Sequence, residues 1–105
     1  MPNKKVVYIS GHYRGDGKPN TIHDNIEKAR SVALEFWAKG LAVICPHTNT
    51  GYMDGVCNDS VWLEGDIEIL RRCDIIVMMP DWQSSEGAVA EWQEAVKCKL
   101  EIIYQ

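Results

Sequence analysis

An unbroken apolar run, Ile75-Ile76-Val77-Met78-Met79, passes through a short loop into Ser84-Ser85-Glu86-Gly87-Ala88-Val89-Ala90-Glu91, the opening of a helical pattern that continues to about Cys98. The same alternation runs along the whole chain. Val6–Ser10 reads as a buried strand, followed by a loop from Gly11 to Asn20 that holds Gly11, Gly15, Gly17 and Pro19. Thr21, with Asp24 three residues on, suits the N-cap of a helix to about Lys39, with Ile22, Ile26, Ala29, Ala33 and Trp37 as its core face. Gly40 ends that helix. Leu41–Cys45 reads as the second strand and Pro46–Asn58 as a long polar loop. Asp59 or Ser60 caps a second long helix to Arg72, with a stripe of Leu63, Ile67 and Leu70. Asp74–Met79 is the third strand, Pro80–Gln83 a short loop, and Glu101–Tyr104 a fourth strand after the Glu91 helix. Strands that alternate with helices pair in parallel through right-handed crossovers, which defines an α/β fold.

Ligands of such sheets bind beyond the carboxyl ends of the strands. The loops at that edge are Gly11–Asn20, Pro46–Asn58 and Pro80–Gln83, and they carry the chain's most distinctive polar residues. Two serines and a glycine at a helix start leave backbone N–H groups able to hold an anion such as a phosphate. Glu91 sits four residues after Gly87 and four before Ala95, on a helix face of small residues that can approach a sheet or a ligand closely. A carboxylate there is partly desolvated and suits a nucleophile beside an anion site.

Length and composition set bounds. The 105 residues make one domain, with no room for a second core. A net charge of −4 leaves no electrostatic footprint for a nucleic acid polymer, although Arg14 and backbone amides can hold a small anion locally. Cys45, Cys57, Cys73 and Cys98 show no CxxC spacing. Cys45, Cys73 and Cys98 end apolar segments and read as reduced, half-buried residues of a cytoplasmic protein. Cys45, His47 and Cys57 match no common zinc spacing, so no metal is expected. The N-terminus runs from Lys4-Lys5 straight into a strand, with no signal peptide or membrane span.

Ser85-x-Gly87-x-x-x-Glu91 resembles the Ser-x-Gly-x-x-x-Glu signature of the nucleoside 2-deoxyribosyltransferase superfamily, which includes deoxynucleoside 5′-monophosphate N-glycosidases. Val7-Tyr8-Ile9-Ser10-Gly11-His12-Tyr13-Arg14-Gly15 resembles that family's first strand and loop, and Glu64-Gly65-Asp66-Ile67-Glu68-Ile69-Leu70 its Asp-bearing helix. Pro46-His47-x-Asn49-Thr50, Arg72-Cys73-Asp74 and Trp82-x-x-Ser85-x-Gly87-Ala88 are similar to a branch of short bacterial and phage domains. The resemblance implies a three-layer, flavodoxin-like sandwich with strand order 2-1-3-4. It also implies cleavage or transfer at the N-glycosidic bond of a 2′-deoxynucleoside or its 5′-monophosphate, without a metal or organic cofactor. The alternative is a binding module that holds a nucleotide-like metabolite on the same fold without turnover.

Each candidate residue carries two readings. Glu91 is the implied nucleophile, or a solvated helix glutamate. Asp66 places the sugar or the nucleophile, or marks the boundary of an amphipathic helix. The Tyr8 hydroxyl lies near the nucleophile, or the ring simply packs in the core. Ser10 and Gly11 end the first strand where a small residue admits a ligand to the backbone. Arg14 faces a phosphate or a base, or is a surface arginine. Trp82 stacks on a nucleobase or covers the sheet edge. His47 and Asn49 contact a base or are solvated, and backbone amides near Ser85 and Gly87 hold the 5′ end. His12 and His23 receive no role. Asp81 stands where many short relatives have glycine and is expected to bring negative charge towards a phosphate. The chain stops at Gln105, before the residues with which the longer transferases reach into a neighbouring site. The expected partners are a small nucleoside or nucleotide and a second copy of the chain, as a homodimer or dimer-based homo-oligomer. Trp62 and Trp92, beside their helices' core stripes, are the expected interface patch.

Overall fold

In the computed structural model, which describes residues 4–53 and 55–105, four strands form one parallel sheet in the order β2-β1-β3-β4. They are β1 (Val6–Ser10), β2 (Ala42–Ile44), β3 (Ile75–Met78) and β4 (Glu101–Tyr104). The central pairing aligns Val7 with Ile75 and Ser10 with Met78, and β4 follows with Met78 opposite Tyr104. Among the described residues the helices are α1 (Pro19–Ala38), α2 (Pro46–Asn49), α3 (Asp59–Arg71) and α4 (Glu86–Lys97), with a 3₁₀ turn at Trp82–Ser84 before α4. This is the α/β, three-layer arrangement expected from the strand and helix alternation.

The two-residue period of β1 divides the core. Val7 and Ile9 face α1, where they pack with Ala29, Ala33, Phe36, Ile75, Val77 and Met79. Tyr8 packs on the opposite face with Leu70, Ile76, Met78, Ala88 and Ala95, beneath α3 and α4. Ser10, two residues on, shares that second face. Gly11 follows the strand, and a side chain does not fit there, since a Cβ would come within 2.8 Å of Met79 Sδ and 2.9 Å of its Cβ.

Several expectations need correction. α1 starts at Pro19 with Lys18 as N-cap, not Thr21, because a proline at the first helical position is already set to helical φ and gives up only an N–H that lacks a partner there. Its buried stripe is Ile26, Ala29, Ala33 and Phe36; Trp37, about 100° further round the helix, is 52% exposed. The long loop after β2 contains α2, and α3 is preceded by Asn58 as N-cap. Leu63 is exposed although Leu70 is fully buried. α3 is about 20 Å long against about 13 Å for β3, so its first turns overhang the carboxyl edge of the sheet. Cys98 is exposed rather than half-buried, and all four cysteines are free. Trp62 and Trp92 do not form a common exposed patch. Trp92 packs on Trp82 at 5.3 Å, and its indole N–H donates to the Tyr104 hydroxyl at 2.9 Å, whereas Trp62 joins the wall of the cleft described below. Exposed apolar side chains include Tyr52, Met53, Val56, Val61 and Leu63, and elsewhere Leu34, Trp37, Val96 and Tyr104.

Candidate functional site

A cleft of about 810 Å³ opens at the carboxyl edge of the sheet, between the loop after β1, α2, the overhanging start of α3 and the start of α4. Its position is where strand order reverses, since β1 and β3 are neighbours whose following connections leave in opposite directions. Glu91 lies at its floor, only 8% exposed. α4 can seat it there because Ala88 and Ala95, on the same helix face, are small enough to bring the backbone close to the sheet.

Both Glu91 oxygens have partners from β1. The Tyr8 hydroxyl donates to Oε2, and Ser10 Oγ donates to Oε1 at 2.6 Å. The two donors come from residues of identical strand parity, which is why a single helix residue can meet both. Burial pushes the Glu91 carboxyl up to about 7; the Ser10 and Tyr8 hydrogen bonds pull it down, and the charge of Asp66 pushes it further up. Asp66 lines the same cleft, and burial raises it to about 6. Tyr8 is held well above its ordinary range by burial first and then by the charges of Glu91 and Asp66. Glu91 and Asp66 thus form an interacting carboxyl pair in one cavity.

The remaining candidates divide. Ser85 and Gly87 border the cleft at the start of α4, and a Cβ on Gly87 would meet nothing within 4 Å, so the missing side chain keeps this wall open. The Ser85 hydroxyl is already used: it accepts the Ala88 N–H at 3.2 Å as the helix cap. Arg14 reaches the cleft but makes a two-point ion pair with Asp59, with N–O distances of 2.8 and 2.7 Å. His47 is buried in the wall, where Nε2–H donates to the His12 carbonyl at 2.6 Å and burial lowers its pKa, keeping the ring neutral. Ser10 contributes its hydroxyl to Glu91, beyond the small-residue role expected of it.

Asn49 is exposed and lies outside the cleft lining, because α2 turns Pro46 and His47 inward and Asn49 outward. Trp82 is also outside it, stacked between Trp92 and Tyr104 over the sheet edge at 5.3 and 6.2 Å. Covering the edge, not presenting a face to the cleft, is what its packing provides. Asp81 takes a left-handed backbone, φ 66°, which explains why glycine suits that position; its side chain borders a neighbouring groove rather than the cleft. Sequence reasoning missed, among the lining residues, Asp59, Trp62, Ser84 and Glu86, and also His12, whose Nε2 lies between the Asp81 carbonyl at 2.9 Å and Ser84 Oγ at 2.8 Å. Asp59 at the first turn of α3, after the Gly-rich loop, was the one with a sequence signal. Among the described residues no group of three or more His, Cys, Asp or Glu side chains could hold a metal ion, and no helix is long and apolar enough to cross a membrane.

Fold and cleft together define an α/β protein with a buried, hydrogen-bonded carboxyl group at its topological switch point. The chain belongs to the family described as Domain of unknown function (DUF4406), whose model matches residues 5–104. Among solved structures it is similar to a 2-desoxiribosyltransferase from Leishmania mexicana, with a TM-score of 0.63 and 19% sequence identity over 95% of this chain. The fold is therefore that of the nucleoside 2-deoxyribosyltransferases. The chain spans 63% of that enzyme's length. No curated protein matches the sequence.

Proposed function

We propose that the protein cleaves or transfers at the N-glycosidic bond of a 2′-deoxynucleoside or its 5′-monophosphate, with Glu91 as nucleophile. The observation that carries this reading is the pair of β1 hydroxyls, Tyr8 and Ser10, fixed on the two oxygens of a buried glutamate facing a ligand-sized cleft. The likeness of fold to a 2-desoxiribosyltransferase supports the same chemistry.

In the first step a Glu91 oxygen bonds to the anomeric carbon as the carbon–nitrogen bond breaks and the base leaves with the electron pair. Positive charge develops on the sugar in an oxocarbenium-like transition state, and the neighbouring carboxylate stabilises it. Water or a second base then attacks the same carbon and releases Glu91 as the carboxylate, the proton the attacker sheds balancing the one the departed base takes up, so that one difficult displacement becomes two easier ones. Tyr8 and Ser10 hold the carboxylate in line, and Asp66 orients the sugar. No organic cofactor or metal is required for either step.

Incubation with mixed deoxynucleosides and their monophosphates, followed by chromatography for free base, tests this reading. Free base that disappears in Glu91→Ala supports the enzyme. Ligand-induced thermal stabilisation without any turnover supports a non-catalytic nucleotide-binding module instead. Self-association belongs to the same proposal, as a dimer or a tetramer built from dimers. The exposed apolar side chains Tyr52, Met53, Val56, Val61 and Leu63 favour it. A light-scattering mass that stays near 11.9 kDa on concentration would remove it.

A further inference from the structure

The charged Asp, Glu, Lys and Arg residues lining the cleft, among those described, are Arg14, Asp59, Asp66, Glu86 and Glu91. A single guanidinium thus faces four carboxyl groups. Its charge is matched before any ligand arrives, because the two parallel hydrogen bonds to Asp59 fill one edge of the guanidinium. A phosphate that recruited Arg14 would exchange one anion for another and leave the Asp59 carboxylate unpaired in the same cavity. Arg14 holds Asp59 below the ordinary carboxylate range, so Asp59 stays ionised at neutral pH.

The start of α4 gives an independent observation. A helix N-terminus attracts a phosphate through open N–H groups and its partial positive charge. Here Ser85 Oγ accepts one of those N–H groups, and Glu86, the first residue of the helix, brings a carboxylate to the same end. Ser84 Oγ donates to the Asp81 carbonyl at 2.9 Å and is therefore engaged as well. Both elements on which a 5′-phosphate could rest already carry an anionic group of the protein.

We infer that Asp59 and Glu86 are specificity-determining residues that turn this cleft against a 5′-phosphate, so that it takes an uncharged 2′-deoxynucleoside in preference to the monophosphate. The inference rests on the proposed nucleoside chemistry and decides between the two substrate classes that chemistry leaves open. Repulsion between exposed charges is screened by salt, so the preference is strongest at low ionic strength.

Titration calorimetry on the whole chain tests it, with each common 2′-deoxynucleoside and its 5′-monophosphate as paired probes. The wild type should bind the nucleoside about tenfold more tightly at low salt, with a smaller gap at high salt. In the Asp59→Asn, Glu86→Gln double variant that ratio should close by about tenfold through a gain in monophosphate affinity. Both positions are exposed, and each single variant provides a folded control if the double variant misfolds. Monophosphate binding as tight as nucleoside binding in the wild type overturns the inference, as does an unchanged ratio in the variants. Nucleoside selectivity without release of free base supports the inference while ending the catalytic proposal. Release of base from monophosphates at least as fast as from nucleosides does the reverse. If neither ligand binds, both fail.

Discussion

Glu91 and Asp59 are carboxyl groups of one cleft, yet burial pushes the first up to about 7 while the Arg14 guanidinium holds the second below its usual range. Glu91 is enclosed by the sheet and α4, and its partners are neutral hydroxyls from β1. Asp59 stands at the exposed start of α3 and meets a full positive charge from the loop after β1. The floor of the cleft therefore holds a carboxyl group whose charge is costly and whose position is fixed. The rim holds one whose charge is paired and solvent-exposed. Chemistry suits the floor, and selection among ligands suits the rim.

The sharpest way to break that division is Glu91→Gln. It keeps the shape and the hydrogen-bonding capacity but removes the attacking charge, and turnover should fall by at least ~100-fold. If free base is released and this variant retains most of the rate, Glu91 is not the nucleophile.

The second test uses pH. The Glu91 pKa is about 7 in the folded protein against an ordinary 4.5, so the folded state binds the proton more tightly than the unfolded chain does. Stability from this group is then full below about 4.5 and is lost as pH rises through about 7, by on the order of 2–3 kcal/mol. Denaturant melts at pH 5 and pH 8 should show the decline, and Glu91→Gln should reduce it to the smaller part that Asp66, raised to about 6, contributes. Turnover should move the opposite way and rise with pH through the same region, because the nucleophile is the carboxylate. A rate that falls between pH 6 and 8 would contradict the assignment.

Smaller effects follow at the hydroxyl partners. Tyr8→Phe and Ser10→Ala each remove one donor to the carboxylate, which should lower the rate by ~10-fold and move the pH–rate midpoint upward. A lower rate with an unmoved midpoint would make these residues packing elements only. Ser85→Ala removes the α4 cap and should cost ~1 kcal/mol of stability, read from urea midpoints. Selective weakening of monophosphates in that variant would return the phosphate to the helix start. The least change is expected from Asp59→Ala, whose melting temperature should stay close to that of the wild type because the pair it breaks is solvent-exposed. A large drop there would mean that the rim, like the floor, is part of the core.

Much of this arrangement was legible in the sequence. The apolar runs and helical repeats specify the elements, and β1 and β3 were placed to within a residue because their side chains are buried on both faces. The Ser85, Gly87, Glu91 spacing located the helix that floors the cleft. Boundaries were weaker where a local signal competed with another, as Thr21 did with Pro19. Trp37 misled because its helical spacing read as core-facing, although it lies about one residue's rotation from the buried stripe. Of the two readings of Trp82, its packing on Trp92 and Tyr104 favours cover of the sheet edge.

The amino-acid sequence by itself determined the parallel α/β fold, through short apolar strands separated by amphipathic helices, and it determined that Glu91 lies on a face of small residues. Only the tertiary structure decided that Tyr8 and Ser10 bond to that glutamate across 83 and 81 residues of chain. Only it brought Arg14 to Asp59, 45 residues away, and set Asn49 and Trp82 outside the cleft. Periodicity follows from backbone geometry and is local, so it is written into neighbouring residues. Hydrogen-bond partners, ion pairs and desolvation depend on which distant surfaces pack together, and the assembled sheet and helices settle that.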